Sequence, residues 1–279
     1  MREIQASKIK DAVAQLCIQT NILISPDIKA AMEAARQKEE GLARNVLDNL
    51  LENADIAKKE NMPICQDTGM VVVFIEIGQD CHVVGGSIAD AVNAGVALGY
   101  EQGYLRKSVV GCPLARENTK NNTPAVIHYE IVEGDGLKIC VSPKGFGSEN
   151  MSGLKMLKPS DGAQGVEDFV LQVVRNADSN PCPPIIVGVG IGGTMEKSAL
   201  IAKKTFLREV GSVNPNPQLA KMEADLLSKI NATGIGPGGL GGITTALAVY
   251  IDTYATHIAG LPVAVNIGCH VTRHGEISL

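Results

Sequence analysis

Residues 125–141, Ala125-Val126-Ile127-His128-Tyr129-Glu130-Ile131-Val132-Glu133-Gly134-Asp135-Gly136-Leu137-Lys138-Ile139-Cys140-Val141, contain two apolar, β-branched runs separated by a short turn. Val, Ile and Tyr favour strands, and the Gly-rich tetrapeptide 133–136 is typical of a hairpin turn. The stretch therefore predicts two antiparallel strands joined as a hairpin. We expect a sheet that contains them to be at least partly antiparallel.

The rest of the chain alternates predicted helices with predicted strands. The first 60 residues or so predict helices, with a typical helix start at Ser25-Pro26. A β-branched run predicts a buried strand over Met70–Ile77, and Ser87 is a suitable cap for a helix over about Ser87–Gly103. The other predicted elements are helices over about Val166–Ala177, Glu196–Val210 and Gln218–Ile230 and strands over Ile185–Val189 and Leu261–Ile267. This mixture indicates an α+β or mixed α/β fold, with a mixed, partly antiparallel sheet flanked by helices.

Composition sets the broad class of protein. The chain has 279 residues, of which 45% are hydrophobic and 20% charged, and its formal charge is −5. No segment has the composition of a membrane helix or a signal peptide, so we expect a cytoplasmic protein that binds no membrane. An acidic chain without basic runs is not expected to bind nucleic acid. We expect one domain over 1–279, in which a helical N-terminal region, about 1–60, packs on an α/β body.

Three of the seven cysteines stand beside proline or glycine, where a loop adjoins an apolar run. They are Cys65 in Pro63-Ile64-Cys65-Gln66-Asp67, Cys182 in Asn180-Pro181-Cys182-Pro183-Pro184, and Cys269 in Asn266-Ile267-Gly268-Cys269-His270. Three thiolates from distant loops suit an iron–sulfur cluster in which one iron lacks a protein ligand. The alternative is that the cysteines are small buried hydrophobic residues. An odd number of cysteines without a secretion signal argues against a disulfide framework.

A glycine-rich segment, Gly188-Val189-Gly190-Ile191-Gly192-Gly193, satisfies the G-x-G-x-x-G pattern of dinucleotide-binding proteins. A nicotinamide-dependent dehydrogenase is therefore one alternative function. The acidic residue at the expected distance, Glu209, falls in a predicted helix end instead of after a second strand. The glycines are better explained by close backbone packing beneath Cys182 or by anion binding at a helix N-terminus.

Several short motifs, in order along almost the whole chain, together resemble class I fumarate hydratase, the iron–sulfur type. They are Cys65-Gln66-Asp67-Thr68-Gly69, Tyr104-Leu105-Arg106-Lys107-Ser108, Arg116-Glu117-Asn118-Thr119, Asn122-Thr123-Pro124, Lys144-Gly145-Phe146-Gly147-Ser148-Glu149-Asn150, Cys182-Pro183-Pro184, Gly192-Gly193-Thr194 and Thr256-His257 through to Cys269. The chain is similar to the α subunit of the two-subunit form. The sister family is the α subunit of tartrate dehydratase. The Lys144–Asn150 loop looks more like the fumarate branch.

The resemblance implies a [4Fe–4S] cluster held by Cys65, Cys182 and Cys269, with one iron not ligated by protein. It implies the fold of an Fe–S hydro-lyase N-terminal (α) domain and the reversible dehydration of (S)-malate to fumarate. An electron-transfer or sensing iron–sulfur protein is the alternative outside the hydro-lyases, although such proteins usually have a fourth cysteine ligand. Cys17 and Cys140 are expected to be packing residues, and Cys112 lies beside a segment that resembles the family.

The family's active-site residues match particular positions of this chain. The resemblance implies catalytic roles for His257, as a proton donor or orienter of the substrate hydroxyl, and for Asp67. It implies substrate binding by Gln66, Asp67, Arg106 and the backbone of Gly145 and Gly147. Without the resemblance, Arg106 predicts a surface ion pair, Asp67 a turn residue and His257 a core histidine. Phe146 stands where many relatives carry glycine.

The family also implies partners. A carbon-end base and further cationic groups belong to a C-terminal half that this chain is not expected to contain. We therefore expect activity only with a separate β subunit, in an α2β2 complex or around a homodimer of α. The substrate is expected to be a small dicarboxylate.

Overall fold

The computed structural model describes residues 2–279 and divides into two compact units. The first unit comprises the N-terminal residues up to Ile24, Asn53–Phe146 and Arg273–Leu279. The second comprises Ser25–Glu52 and Gly147–Thr272. The helices of the N-terminal region are shared between the two units, and the single domain that the sequence predicts stays a prediction. No helix within residues 2–279 is long and apolar enough to cross a membrane.

Over residues 2–279, the two units contain ten strands and eight α-helices. The strands are β1 (Arg2–Gln5), β2 (Met70–Gly78), β3 (Cys81–Val84), β4 (Val126–Val132), β5 (Leu137–Lys144), β6 (Gly153–Leu157), β7 (Ile185–Gly192), β8 (Ala246–Tyr254), β9 (Leu261–Gly268) and β10 (Gly275–Ser278). The helices are α1 (Ala6–Ile22), α2 (Pro26–Lys38), α3 (Gly41–Glu60), α4 (Ile88–Gln102), α5 (Phe146–Glu149), α6 (Gly162–Ala177), α7 (Met195–Lys204) and α8 (Pro217–Asn231). The sequence predicts helices over the first 60 residues or so. The structure instead has a strand, β1, before α1, and this strand pairs in parallel with β3.

The main sheet of the first unit has the strand order β10-β5-β2-β4. The prediction of a hairpin is wrong, because β2 lies between β4 and β5. It pairs in parallel with β4 and antiparallel with β5. The Gly-rich turn instead crosses the end of β2. Gly78 N–H donates to the carbonyl of Gly136 over 2.8 Å, and a Cβ atom on Gly78 would lie 2.3 Å from the carbonyl oxygen of Gly134. The expected mixed, partly antiparallel sheet is nevertheless confirmed.

Helices α1 and α4 pack against each other and contribute to the hydrophobic core of the first unit. α4 starts as predicted, since the Ser87 hydroxyl accepts a hydrogen bond from Asp90 N–H over 3.0 Å. The close contact of the helices depends on two glycines. A Cβ atom on Gly95 would lie 2.5 Å from Lys10 O, and one on Gly99 would lie 2.7 Å from Ala14 O. Side chains of both helices and of β2 and β5 then form a continuous hydrophobic core.

The sheet of the second unit has the order β6-β9-β7-β8, in which β8 is parallel to β7 and β9 is antiparallel to it. Alternate residues of β7 point to opposite faces. Ile185, Val187 and Val189 join α6 and α8 in the core. Gly188 and Gly190 face α7, where added Cβ atoms would lie 2.4 Å from Ala202 O and 2.0 Å from Ser198 O.

The glycines of the G-x-G-x-x-G pattern therefore allow α7 to lie directly on the sheet. The sequence predicts that these glycines pack closely beneath Cys182. They do pack closely, but Gly188 and Gly190 pack against α7. A Cβ atom on Gly192 would lie 2.0 Å from the carbonyl oxygen of Tyr254. The sequence also predicts neither β6 nor β8, the two edge strands of this sheet, nor β10 in the first unit.

A buried carboxylate stabilises the glycine-rich loop at 234–242 in the second unit. Glu39 follows α2 directly and is 2% exposed. Its two carboxylate oxygens accept hydrogen bonds from Ile243 N–H over 2.9 and 3.0 Å, and one also accepts from Thr244 N–H. These charge-assisted bonds fix the end of the loop just before β8.

Candidate active site

The loop that contains Cys65 joins α3 to β2 within the first unit. Asn53 Nδ2 donates to the carbonyl of Ile64 over 2.9 Å, and Ile64 N–H donates to the carbonyl of Asn21 over the same distance. Cys65 is partly exposed, and its sulfur accepts a hydrogen bond from Asp67 N–H over 3.4 Å. The side chain of Gln66 is exposed, with Oε1 3.6 Å from the Cys65 sulfur. The backbone before Cys65 is thus anchored while the thiol and the neighbouring amide reach the surface of the unit.

Asp67 connects this loop to the end of β5. Oδ1 accepts a hydrogen bond from Gly69 N–H over 3.0 Å, and Oδ2 accepts one from Phe146 N–H over 2.8 Å. A Cβ atom on Gly145 would lie 3.3 Å from Oδ2, so a side chain there would crowd the carboxylate. Asp67 therefore brings the Cys65 loop and the Gly145 loop together.

Arg106 is brought to the same place by the segment after α4. Thr68 Oγ1 donates to the carbonyl of Arg106 over 2.8 Å, and the Arg106 side chain is exposed. Asn122, which is fully buried, donates from Nδ2 to Gly69 O over 3.1 Å and accepts at Oδ1 from Ser108 N–H over 2.8 Å. The first unit thus gathers Cys65, Gln66, Asp67, Arg106 and Gly145 around one loop.

Two supporting residues of this loop were not predicted from the sequence. Asn122 belongs to a segment that resembles the family, but nothing in the pattern indicates what it binds. Tyr100 looks like an ordinary apolar position of α4. Its hydroxyl donates to Thr68 O at 2.6 Å and also lies 3.0 Å from Gly69 O, while burial raises the pKa of this hydroxyl and so keeps it protonated.

Cys182 and Cys269 lie at one edge of the sheet in the second unit. Cys182 precedes β7, Cys269 follows β9, and the antiparallel pairing of Ile186 with Gly268 places these two strand ends side by side. His270 Nδ1 is 3.0 Å from the carbonyl oxygen of Cys182 and links the two loops. Cys182 is exposed and has φ = 56°, a left-handed conformation that non-glycine residues adopt mainly at constrained, often functional positions.

Gly147 is close to the Cys182 loop, since a Cβ atom on it would lie 3.7 Å from the carbonyl oxygen of Asn180. Glu149, at the end of the same short helix α5, forms an ion pair with Lys203 over 2.5 Å and accepts a hydrogen bond from Asn266 Nδ2 over 2.9 Å. The second unit thus positions Gly147 with Cys182 and Cys269.

His257 lies at the opposite edge of that sheet. It is exposed in the loop between β8 and β9, where Tyr254 pairs with Gly192 at the far end of β7. β7 has eight residues, so about 25 Å separates its two ends. Thr256 Oγ1 holds the loop there by donating to Gly193 O over 2.9 Å. Within the second unit, the structure does not bring His257 together with Cys182 and Cys269.

The seven cysteines differ in environment, and no disulfide links any of them, all lying within residues 2–279. Burial raises the pKa of both the Cys17 and the Cys140 thiol to about 12, in agreement with their expected role in packing. The exposed Cys112 differs, because the N–H groups of Ala115 and Leu114 lower its pKa. Over the described part of the chain, no three His, Cys, Asp or Glu side chains are grouped as they would be around a metal ion.

Comparison with known proteins identifies the family. The family model for fumarate hydratase (Fumerase) matches residues 10–278. A protein of Methanocaldococcus jannaschii named "Putative L(+)-tartrate dehydratase subunit alpha" is 42% identical over 275 residues, which cover 95% of this chain and 95% of that protein. The "L(+)-tartrate dehydratase subunit alpha" of Escherichia coli K12 is 30% identical over 275 residues, or 97% of this chain and 90% of its relative. The resemblance found in the sequence is confirmed, and the chain belongs to the fumarate hydratase (Fumerase) family of hydro-lyases.

Proposed function

We propose that this chain is the α subunit of a hydro-lyase that interconverts (S)-malate and fumarate. The observation that carries the proposal is the arrangement in the first unit, where partly buried hydrogen bonds tie Cys65, Asp67 and Arg106 to one loop that the buried Asn122 supports. A carboxylate can move a proton and a guanidinium can bind a substrate carboxylate, which are two tasks in the elimination of water from a hydroxy-dicarboxylate, and the thiol can serve as a ligand of a metal cluster. Family membership supports the reaction class.

The proposed cofactor is a [4Fe–4S] cluster on Cys65, Cys182 and Cys269. The donor set fits such a cluster, since three thiols stand on anchored loops, are at least partly exposed and form no disulfide. Cys182 and Cys269 share one sheet edge. When bound, the cluster supplies one iron without a protein ligand, a Lewis acid for the loss of a poor leaving group such as hydroxide.

The residues of the first unit provide the polar contacts to the substrate. Arg106, whose backbone is fixed by Thr68, offers a planar guanidinium that can bind a carboxylate through two hydrogen bonds. Gln66 is exposed beside the Cys65 sulfur and can donate to a substrate oxygen. The backbone at Gly145 and Gly147 is proposed to approach the substrate closely, because neither residue has a side chain to obstruct it.

Asp67 is proposed to orient the leaving hydroxyl and to accept or return its proton. Each carboxylate oxygen accepts one backbone hydrogen bond and keeps a second lone pair for the substrate. His257 is proposed as the other proton-transfer residue. Because it lies at the sheet edge opposite Cys182 and Cys269, we propose that it serves the site of a second copy of the chain, in the homodimer of α or the α2β2 complex that the sequence predicts.

The proposal includes a β subunit that carries the carbon-end base and further cationic groups. Both relatives described above are named as α subunits, which implies a second subunit in each of those proteins. We therefore propose that this chain is active only in complex with such a partner.

A second candidate substrate is L(+)-tartrate, which the relatives' names favour. Malate and tartrate differ by one hydroxyl group. A site built to hydrogen-bond that hydroxyl would discriminate strongly against malate, whereas a site without such a group would not. The ratio of kcat/KM for the two substrates therefore decides between these candidates.

The test is an anaerobic preparation of the complex, reconstituted with ferrous iron and sulfide and assayed with malate, fumarate and tartrate. A [3Fe–4S]⁺ EPR signal after mild oxidation that disappears on adding ferrous iron would support a labile fourth iron. The Cys65→Ser variant should lose both the EPR signal and the hydro-lyase activity. The matched control, Cys81→Ser, should keep both. Tartrate turnover far above malate turnover would overturn the first candidate, and a stable cluster without any hydro-lyase activity would favour an electron-transfer protein.

A further inference from the structure

Arg273 is a buried arginine without a counter-ion. It is only 5% exposed, and within residues 2–279 no carboxylate lies within 4.0 Å of its guanidinium. Nη2 donates to the carbonyl of Asp67 over 2.8 Å, whereas Nε is buried without any hydrogen-bond acceptor in the same part of the chain. A buried charge is costly unless it is paired, so this arrangement requires a compensating negative group.

The position of Arg273 is fixed from both sides. Its own carbonyl accepts a hydrogen bond from Ser142 Oγ over 3.1 Å, and two residues later Gly275 pairs with Val141 at the start of β10. Its guanidinium reaches the loop of Cys65, two residues from the thiol. Asp67, Thr68 and Gly69 all direct their carbonyls to buried donors, which are Arg273, Tyr100 and Asn122. The loop is therefore held by its carbonyl groups over three consecutive residues.

A backbone carbonyl can satisfy one N–H group, but it cannot neutralise a charge. The group proposed for this loop can. A [4Fe–4S]²⁺ core with three thiolate ligands carries one net negative charge, equal and opposite to that of one guanidinium. Protein screens a charge less than bulk water does, so the buried guanidinium of Arg273, which binds the loop two residues from the Cys65 thiol, acts on such a cluster without contacting it.

We infer that Arg273 is a positioning residue that fixes the Cys65 loop and supplies the buried positive charge that compensates the cluster. The inference rests on the proposed function. Because a nearby positive charge stabilises the reduced, more negative cluster, its removal lowers the reduction potential. Arg273 also follows Cys269 by only four residues, so the same short segment supplies a ligand and its compensating charge.

The experiment measures the reduction potential of the reconstituted full chain by an EPR-monitored redox titration. Arg273→Gln and Arg273→Met remove the charge, Arg273→Lys keeps it, and Lys138→Gln removes a positive charge from the surface ion pair with Glu276 as the matched control. At the wild-type midpoint potential, we expect both neutral variants to change the ratio of oxidised to reduced cluster about tenfold, which corresponds to about 59 mV for a one-electron couple. Arg273→Lys should change it less than about threefold, and Lys138→Gln should match the wild type.

Three results would overturn the inference. One is a neutral variant with the wild-type potential, above all if the KM for malate of its complex with the β subunit rises, because Arg273 would then serve the substrate. Another is an equal shift for Lys138→Gln. The third is that neither neutral variant folds, judged by circular dichroism, while Arg273→Lys does, because the charge would then be required for folding. If the wild-type chain itself binds no iron under these conditions, the proposed function fails, and this is seen before any variant is compared.

Discussion

Asp67 and Phe146 are 79 residues apart in sequence, yet the Asp67 carboxylate accepts a hydrogen bond from Phe146 N–H over 2.8 Å. The same carboxylate accepts from Gly69 N–H. Asp67 therefore connects two loops of the candidate site, and it is also the residue proposed to bind the substrate hydroxyl. A substitution of Asp67 should therefore lower both the stability of the fold and the activity, and the two effects can be measured separately.

We expect Asp67→Asn to weaken this connection. An amide has one oxygen, so one of the two N–H groups faces an NH₂ group and loses its acceptor, at a cost of about 1–3 kcal/mol of unfolding free energy. Activity should fall further than stability explains. Denaturant unfolding, amide hydrogen exchange at Phe146 and steady-state kinetics check this prediction, with Asp80→Asn, at an exposed position of the same unit, as the control. Wild-type exchange at Phe146 would contradict it.

Asn122 should be needed for the placement of Arg106. Asn122→Ala removes the fully buried amide that joins the partly buried Ser108 N–H to the carbonyl of Gly69, which keeps only the Tyr100 hydroxyl, so we expect a loss of about 1–3 kcal/mol in stability. Because the Arg106 segment loses its anchor, KM for the dicarboxylate should rise several-fold. The exposed neighbour provides the control, since Asn121→Ala removes an amide of the same size. Equal KM values for the two variants would show that Arg106 is positioned by other contacts.

The local elements of this fold were predictable and the pairings were not. β2 and α4 follow from a β-branched run and a serine cap, which are properties of neighbouring residues. The position of β2 between β4 and β5 depends on which strands meet after collapse, and the turn between them looks like a hairpin either way. The edge strand β8 was missed because a glycine-rich loop precedes it and obscures its start.

The candidate site shows the same division. Its cysteine loops are visible in sequence because proline, glycine and apolar runs surround them. Its supporting residues are not, since the hydrogen bonds of Tyr100, Asn122 and Arg273 to the Cys65 loop join positions 31, 53 and 206 residues apart. Each of these three looks ordinary in its own segment, and only the folded chain shows what it contacts.

Cys112 should be the most readily alkylated of the cysteines outside the proposed ligand set. Backbone N–H groups lower its pKa, whereas burial raises the pKa of Cys17 and Cys140 to about 12. The thiolate is the nucleophile, so Cys112 should react with iodoacetamide at lower pH than an ordinary thiol, and the other two should stay unmodified at neutral pH. Mass spectrometry of the chain after alkylation across a pH series gives the three profiles. An ordinary profile for Cys112, or modification of Cys140 first, would contradict the prediction.

His257 tests how many copies of the chain build one site. Its sheet edge is about 25 Å from the edge that carries Cys182 and Cys269, so it should act on a site in another copy. Cys65→Ser and His257→Ala should each be inactive alone. When the two variants are co-expressed with different tags and with the β subunit, the mixed oligomer can be isolated through both tags. In it the Cys65→Ser chain supplies an intact His257 to the intact cluster site of its partner. One of the two sites of the dimer is then complete, so activity should return to about half the wild-type value per dimer. The mixed oligomer could be inactive although the His257→Ala chain has a normal iron content. His257 would then belong to the site of its own chain or take no part in the reaction. If the two variants never form a mixed oligomer, the second copy is removed from the proposal.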